Sequence, residues 1–407
     1  MKETYTPSQK VLEKYAGVLV NFALNSGKGI EKGDVVRIAA NESAKPLYLE
    51  LQKAVLKAGG HIISSYRPDD DRSFNFSRSF FDLADDKQLT FLPKKYMKGL
   101  VAEIDHHISV ISEADKQALK GVDPKKMMAR GQALKQVSQW LDEKENKGEY
   151  TWTLALYGTP AMAAEACLSE KEYWNQIIKA CFLDKKDPVA EWKKVTDEIE
   201  SIRKKLNKLE IESVHLKGDD VDLTVKIGEK RQWAGGSGRN IPSFELFTSP
   251  DWRGTSGWVR FNQPLYRYGN LITGIELEFK NGKVVKSKAS KNQKLLQEMI
   301  NTKNADKVGE FSLTDKRHSR ITKFMAETLF DENVGGDYGN THIALGKAYA
   351  NCYAGDPSKL KAKDWQKLGF NDSSVHTDII STTDRTVTAT LRDGSERVIY
   401  KDGMFQV

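Results

Sequence analysis

The sequence predicts an α/β N-terminal domain with a mostly parallel sheet over residues 1–209, followed by a β-rich α+β domain over residues 210–407. Three observations lead to this prediction. The length of 407 residues exceeds one domain of about 150 residues, so two or three domains are expected. Short apolar runs alternate with amphipathic stretches in the first half, which is typical of βαβ units. Alternating strand patterns and hairpin turns then predominate.

The first half supplies the strands and helices of the α/β domain. A buried strand follows Gly33, and the next helix ends at Gly59-Gly60, a common helix stop. Strands are expected at residues 35–40, 61–66, 108–111 and 151–156. Helices are expected at residues 8–24, 46–58, 124–141 and 185–209.

The second half carries mainly strands joined by tight turns. Residues 215–225 alternate like a hairpin that turns at Gly218-Asp219-Asp220, and Asn281-Gly282 and Asp393-Gly394 are typical hairpin turns. Further strands are expected at residues 257–261, 272–279, 283–286, 378–382, 386–391 and 397–400. A helix over residues 320–329 is expected to interrupt them.

The composition is that of an ordinary folded protein. Hydrophobic residues make up 39% and charged residues 29% of the chain, and 63 Lys and Arg against 56 Asp and Glu leave a net charge of +7. Both signs are mixed along the sequence. Even the densest basic run, residues 193–208, contains Asp197, Glu198 and Glu200. This pattern indicates a solvated helix, and no nucleic-acid partner is expected.

The cysteines indicate a reducing compartment. Cys167, Cys181 and Cys352 are odd in number and show no CxxC spacing, so neither a disulfide framework nor a structural zinc site is expected. The first residues show no apolar targeting segment, and no apolar run approaches membrane length. We therefore expect a cytoplasmic protein without a membrane partner.

His376 and Asp378 form a pair of metal-ligand residue types at positions i and i+2. On a strand, this spacing projects both side chains from the same face, where both could reach one ion. Such a tripeptide alone is more often part of an ordinary surface or core.

His342 and Tyr349 are seven residues apart. On a helix this is about two turns, which would place an imidazole and a phenol on one face. The alternative is a helix that begins at the cap Asn340-Thr341 and uses both side chains structurally.

Glu245 and Glu310 are acidic residues within apolar, strand-like segments. A buried carboxylate must be paired or bind a metal, because burying an isolated charge is too costly. Alternatively, each side chain lies on the solvent face of its strand. The residues alone do not decide between these interpretations.

Taken in order, these segments resemble the aminopeptidase T family of metallopeptidases over nearly the whole chain. The pattern Asn-x-Pro-x-x-Glu followed by an apolar residue and Phe-Thr-x-Pro is matched from Asn240 to Pro250. The later parts of the pattern are matched by Gly309-Glu310, by the segment from Thr328 to Asn333, by the segment from His342 to Tyr349, and by His376-x-Asp378.

The resemblance implies a metal-dependent aminopeptidase whose C-terminal domain is catalytic. By this resemblance the metal ligands are Glu245, Glu310, His342, His376 and Asp378, and Tyr349 is the catalytic phenol. Three carboxylates and two imidazoles suit two divalent ions, such as zinc, cobalt, manganese or magnesium. Glu310 is the expected catalytic bridge between them, and the sequence alone does not distinguish it from Glu245 or Asp378 in this role. The family also implies peptide substrates with a free N-terminus and a homodimer with an enclosed active site.

This sequence departs from the family pattern in three places. Phe244 stands where the family usually has a second Glu. The connection over residues 334–341 is longer than expected, which suggests a reshaped substrate pocket. Residues 314–320, after Glu310, are more basic than expected, which affects the inferred substrate preference.

Two other functions would use the same residues differently. A metal-dependent hydrolase acting on another bond, such as a phosphoesterase, would keep the ions, but the chain shows no phosphate-binding loop. A non-catalytic binding protein would use the five residues structurally, and its metal content would distinguish it.

Overall fold

The structure, a computed structural model, describes residues 5–267 and 269–407. Its N-terminal part contains a four-stranded parallel sheet flanked by helices, and its C-terminal part is rich in antiparallel strands. The predicted fold class is confirmed. The domain boundary after residue 209 stays a prediction, and C-terminal residues such as Phe244 and Ile321 pack in the apolar core of the N-terminal sheet.

The N-terminal sheet is formed by the four segments predicted as strands. They are Val35–Asn41 (β1), His61–Arg67 (β2), His106–Ile111 (β3) and Thr151–Leu156 (β4). The strand order is β2-β1-β3-β4. The second strand therefore lies on one side of β1, and the third and fourth strands lie on its other side. The carboxyl ends of β1 and β3 therefore lie side by side where the strand order reverses.

Helices cover this sheet, and local sequence fixes several of their ends. Asp123 and Asp187 cap helices with Pro at the first position, while Ser169 and Glu172 form a reciprocal capping box. The helices are Gln9–Val18 (α1), Lys45–Lys57 (α2), Phe76–Leu83 (α3), Asp86–Thr90 (α4), Lys94–Glu103 (α5), Pro124–Asn146 (α6), Pro160–Glu165 (α7), Glu170–Ala180 (α8) and Pro188–Asn207 (α9).

The C-terminal part consists mainly of short strands. They are Ile211–Gly218 (β5), Val221–Lys226 (β6), Ala234–Gly235 (β7), Glu245–Thr248 (β8), Ser256–Arg260 (β9), Leu265–Arg267 (β10), Asn270–Ile272 (β11), Glu276–Lys280 (β12), Lys283–Lys288 (β13), Val308–Thr314 (β14), Asn340–Gly346 (β15), His376–Ser381 (β16), Thr386–Leu391 (β17), Glu396–Lys401 (β18) and Met404–Phe405 (β19). The helices among them are Gln293–Asn301 (α10), Thr328–Asp331 (α11) and Ala362–Lys367 (α12).

Two antiparallel sheets share one apolar core in this part. The larger sheet has the order β13-β12-β9-β6-β5-β17-β18-β19, and the smaller one β16-β15-β14-β8-β7. Phe311 and Leu313 of β14, with Ile343 of β15, pack in the shared core. Because side chains alternate along a strand, the residues between them project from the opposite face of the small sheet.

The predicted helix over residues 320–329 is wrong for most of its length. Residues 320–327 are irregular, and helix α11 begins only at Thr328. The Asp331 carboxylate accepts hydrogen bonds from the backbone N–H groups of Met325 and Glu327, at 2.6 and 2.9 Å. A buried side chain therefore satisfies backbone donors that a helix would have satisfied internally.

Other elements also differ from the prediction, including helices α3, α4 and α5, which were not predicted. The single strand expected over residues 272–279 is interrupted, since β11 ends at Ile272 and β12 begins at Glu276. Helix α10 was not predicted, although its apolar residues lie on one buried face. Among the described residues, no helix has the length and apolar character needed to cross a membrane.

Candidate metal centre

The smaller C-terminal sheet carries all five predicted metal ligands. Glu245 begins β8, Glu310 lies on β14, His342 on β15, and His376 and Asp378 on β16. These four strands are neighbours in the order β16-β15-β14-β8. Segments more than 130 residues apart in the chain are thus brought together, and the five side chains form one polar cluster.

One part of the cluster is centred on His342. Its Nε2 atom lies 3.2 Å from Glu245 Oε2 and 3.2 Å from Glu310 Oε1. Glu245, Glu310 and His342 each offer one ligand atom within 4.8 Å of the others. Their side chains are buried, so this part can hold an ion away from bulk water.

The other part is centred on His376 and Asp378. His376 Nε2 lies 3.2 Å from Asp378 Oδ1 and 3.8 Å from Glu310 Oε2. Glu310, His376 and Asp378 also offer ligand atoms within 4.8 Å of one another. Glu310 therefore belongs to both groups, and its two oxygens face different imidazoles.

A β-bulge turns Glu310 toward the cluster. The register between β14 and β15 shifts between Val308, which pairs with Leu345, and Glu310, which pairs with Ala344. Val308 consequently packs in the apolar core, whereas Glu310 faces the polar side. Gly309 makes this possible, because a Cβ atom there would lie 2.4 Å from the carbonyl oxygen of Gly346.

Small residues leave room around the two ligand groups. Ala344 pairs with Glu310 on one side and with Asp378 on the other. Gly346 pairs with His376 and has a φ of 108°, and a Cβ atom there would lie 2.0 Å from the Val375 carbonyl oxygen. A larger side chain at Gly346 would displace the strand that carries His376 and Asp378.

Hydrogen bonds orient two of the ligand side chains. The Nδ1 atom of His376 lies 2.8 Å from the Lys347 carbonyl oxygen, so Nδ1 carries a proton in either charge state and Nε2 is the atom that a metal ion would bind once the imidazole is neutral. The Ser312 hydroxyl donates to Glu245 Oε2 at 2.8 Å. These outer contacts fix the orientations that a metal would require.

The charges of the cluster are strongly coupled. Burial raises the pKa of Glu245 to about 7, with Glu310 and Asp378 adding to the rise and His342 opposing it. Burial lowers the pKa of His342, but the hydrogen bond to Glu310 and the charge of Glu245 outweigh it and raise that pKa to about 9. Asp378 and Glu310 similarly overcome burial and raise the pKa of His376 to about 9.

Glu332 is a further buried carboxylate at this site, and no role was predicted for it from the sequence. It lines the same cavity, and its Oε1 atom accepts a hydrogen bond from Asn240 Nδ2 at 2.9 Å. Burial, and then the negative charges of Glu245, Asp378 and Glu310, raise its pKa well above the usual range. Its place in the segment from Thr328 to Asn333 was the available signal, but spacing alone did not connect this segment with β14 and β16.

Tyr349 lies beside the cluster. Its ring centroid is 4.8 Å from that of His376, and its backbone N–H donates to Ser249 Oγ at 2.8 Å. Burial, followed by the charges of Glu310 and Asp378, raises the pKa of its phenol well above the usual value. The phenol therefore stays protonated and is able to donate a hydrogen bond.

The predicted helical relation between His342 and Tyr349 is wrong. His342 lies within β15, and Tyr349 follows after this strand has ended at Gly346. Every residue of β15 is buried, so the sequence lacks the polar and apolar alternation that identifies a half-exposed strand. A spacing of seven residues fits helix and strand-plus-loop equally well.

The three departures from the family pattern have structural explanations. Phe244 is buried and stacks on Trp192, with ring centroids 5.3 Å apart, so this position faces the apolar core. In the basic segment, Arg317 pairs with Asp315 and Arg320 with Asp184, at 2.6 and 2.7 Å. The described residues that line the cavity beside the ligand cluster include none from the long connection over residues 334–341, so its expected effect on the pocket is not seen.

The cluster borders a cavity of about 310 Å³, which we call the metal-centre cavity. Glu245, Glu310, His376, Asp378 and Tyr349 line it. Two imidazoles with several carboxylates form a mixed nitrogen and oxygen donor set of the kind that binds divalent transition metals. Buried carboxylates at these distances need positive charge, and the donor set therefore fits divalent ions.

Comparisons with known proteins agree with this chemistry. Residues 8–405 match the family described as thermophilic metalloprotease (M29). The chain is 28% identical to aminopeptidase PepS of Streptococcus thermophilus over 96% of this chain and 97% of that protein. It is also 28% identical to aminopeptidase T of Thermus thermophilus over 97% of this chain and 98% of that protein. The solved structure of wild-type AmpT from Thermus thermophilus has a TM-score of 0.80 at 24% identity, covering 98% of this chain and 100% of that one.

Proposed function

The chain belongs to the M29 family of metalloproteases, and on that basis we propose that it is an aminopeptidase that removes the N-terminal residue from peptides with a two-ion centre. Membership of the family makes it a metal-dependent hydrolase. The relatives named as aminopeptidases match it over nearly their whole length, which supports the narrower activity. The proposed metal ligands are Glu245, Glu310, His342, His376 and Asp378.

The sharing of Glu310 is the observation that carries the two-ion proposal. One oxygen faces His342 and the other faces His376, and each half of the cluster contains one further carboxylate. A carboxylate between two ligand groups is suited to bridge two ions. A single ion would leave one of the two groups without a cation.

The charge of the site also favours two ions. Glu245, Glu310, Asp378 and Glu332 are buried carboxylates around one cavity. With Glu332 protonated, the three ligand carboxylates carry three negative charges, so one divalent cation would leave one of them unbalanced, whereas two would balance them together with a hydroxide. Zinc, cobalt, manganese and magnesium are the candidates, and the two imidazoles favour the transition metals among them.

Ions held there would activate a water molecule and polarise the scissile carbonyl. Tyr349 remains protonated beside His376 and would donate a hydrogen bond to the oxyanion that develops on the substrate carbonyl. Glu310 belongs to both ligand groups and would hold the two ions at a fixed separation, and it is the proposed catalytic carboxylate. The free α-amino group of a peptide would bind at the same centre, which restricts cleavage to the first residue.

We also propose a homodimer in which a second copy covers helix α3. Phe76, Phe80 and Leu83 lie on one face of this helix, at spacings of four and three residues, and are 54%, 39% and 84% exposed. An apolar helix face of this kind is a typical interaction surface.

The cytoplasmic location stays a prediction, and the three cysteines are free thiols in the structure.

The function is tested by hydrolysis of aminoacyl-p-nitroanilides after chelation and after restoration of zinc, cobalt, manganese or magnesium. The expected result is activity that disappears with the chelator, returns with a divalent ion, and is absent on N-acetylated substrates. Turnover of phosphate esters without turnover of anilides would favour a hydrolase of another bond class. Metal-free protein with no hydrolytic activity under any condition would favour a binding protein.

A further inference from the structure

A second cavity, of about 440 Å³, lies next to the metal-centre cavity. We call it the switch-point cavity, because Asn41, the last residue of β1, and Glu113, which follows β3, both line it. In open α/β sheets, ligands bind outside the carboxyl ends of the strands where the strand order reverses. Its volume is within the range of cavities that hold small ligands.

The two cavities adjoin each other and share lining residues. Arg267, Glu327 and Thr328 line both of them. A peptide whose scissile bond lies at the metal centre would therefore extend a neighbouring side chain into the switch-point cavity.

Lys116 forms ion pairs with two carboxylates that line the switch-point cavity, one from the N-terminal and one from the C-terminal part of the chain. Its side chain is only 3% exposed, and its Nζ atom lies 2.5 Å from Glu113 and 3.2 Å from Glu327. The same ammonium group lies 4.2 Å from the centroid of the Tyr266 ring. Because two carboxylates already hold this cation, it is not available to bind an anionic ligand, and the three charges leave one net negative charge.

Further carboxylates give the cavity a negative interior. Asp70 and Asp115 also line it. Asp115 is held by the backbone N–H of Gln117 at 2.8 Å, and Asp70 by the N–H and hydroxyl of Ser77 at 2.9 and 2.5 Å. Arg267 stands at the junction, where its charge acts on Asp378. The part away from the junction therefore presents negative charge held by fixed hydrogen bonds.

We propose that the switch-point cavity is a specificity subsite that binds a cationic side chain, the ammonium of Lys or the guanidinium of Arg, of the peptide substrate. This inference rests on the proposed aminopeptidase function. The side chain belongs either to the first residue or to the second, and both have the same recognition chemistry. We assign Asp115 as a specificity-determining carboxylate. It is the one to substitute first, because it forms no ion pair with Lys116, unlike Glu113 and Glu327.

The test uses two pairs of peptide amides, and the two members of each pair differ only in the charged group of one side chain. Lys-Ala-Ala and norleucine-Ala-Ala probe the first residue, and Leu-Lys-Ala and Leu-norleucine-Ala probe the second, since norleucine has the length of lysine without its charge. The rates of release of the first residue by the metal-loaded wild-type enzyme and by Asp115→Asn are compared. Asp393→Asn is the matched control, because Asp393 accepts the N–H two residues on in the same way but lines neither cavity.

The wild-type enzyme is expected to prefer lysine over norleucine at one of the two positions, and the position identifies the source of the side chain. Asp115→Asn should reduce this preference, the ratio of kcat/KM for the lysine peptide to that for the norleucine peptide, roughly fivefold, whereas Asp393→Asn should preserve it. The wild-type preference should also decrease with added salt. Hydrolysis without any lysine preference, or a preference unaffected by Asp115→Asn, overturns the subsite alone. No hydrolysis of any of the four peptides overturns the proposed function as well.

Discussion

The Oε1 atom of Glu310 lies 3.2 Å from the Nε2 atom of His342. The other oxygen of the same carboxylate faces His376 at 3.8 Å. One glutamate on β14 thus connects ligand groups on β15 and β16. The bulge at Gly309 directs the Glu310 side chain toward both of them. Four predictions test how this arrangement works, and a fifth tests the proposed dimer.

Tyr349→Phe removes only the phenol oxygen beside His376. We expect both ions to stay bound, because the side chain is not among the proposed ligands, while kcat decreases on the order of a hundredfold through loss of the oxyanion hydrogen bond. Steady-state kinetics and metal analysis on the same preparation measure this. Tyr338→Phe, at an exposed position, is the control. Unchanged turnover would refute the catalytic role of Tyr349.

Gly309→Ala tests the bulge. The added Cβ atom would lie 2.4 Å from the backbone oxygens of Gly346 and Lys347, so the strands must shift and Glu310 must move with them. We expect weaker metal binding, by about tenfold or more, and a lower melting temperature, since overpacking typically costs about 1–3 kcal/mol. The control is Gly131→Ala, in helix α6, where nothing lies within 4 Å of the added atom. Wild-type metal affinity in Gly309→Ala would show that the bulge does not position Glu310.

Much of this site could be predicted from the sequence, but its geometry could not. His376 and Asp378 at i and i+2 indicated one strand face, and the structure has them there. His342 gave a false helical interpretation because β15 is buried on both faces and its alternation is hidden. Glu332 was missed because its proximity to Glu245, Glu310 and Asp378 arises only in the folded chain and leaves no spacing pattern in the sequence. The parallel sheet was easier to predict, since the short strand-like runs of β1–β4 are bounded by turns or helices.

Metal binding should release protons. Neighbouring carboxylates raise the pKa values of His342 and His376 to about 9 in the metal-free protein, against the effect of burial. Both values are raised, so the protonated imidazoles stabilise the metal-free fold fully below about pH 6.5, and this contribution is lost as the pH rises through about 9. Metal ions require the neutral imidazoles, and affinity should therefore increase with pH over this window.

Calorimetric titration with zinc at pH 7.5, in buffers of different ionisation enthalpy, measures this release. We expect the two imidazoles to contribute about two of the protons released per chain, and His376→Ala to release about one fewer than the wild type, because that variant retains only His342. A binding enthalpy that does not depend on the buffer would contradict the raised imidazole pKa values.

Leu83→Glu tests the proposed dimer. The side chain is 84% exposed on the apolar face of α3, so the substitution should leave the fold intact and place a charge in the interface. We expect the dimer to weaken by tenfold or more, measured by light scattering over a range of concentrations. Leu56→Glu, on α2 with 63% exposure, is the control. A wild-type protein that is monomeric throughout, or a Leu83→Glu dimer of unchanged stability, would refute this interface.

The most direct test of the two-ion centre is a titration of the metal-free protein with zinc or cobalt, with bound metal and leucyl-p-nitroanilide hydrolysis followed together. We predict that activity reaches its maximum only when two ions are bound per chain. In Glu310→Gln, which removes the charge shared by the two groups, both ions should bind weakly and activity should be lost. Full activity with one bound ion, or in the chelated protein, would contradict the two-ion centre.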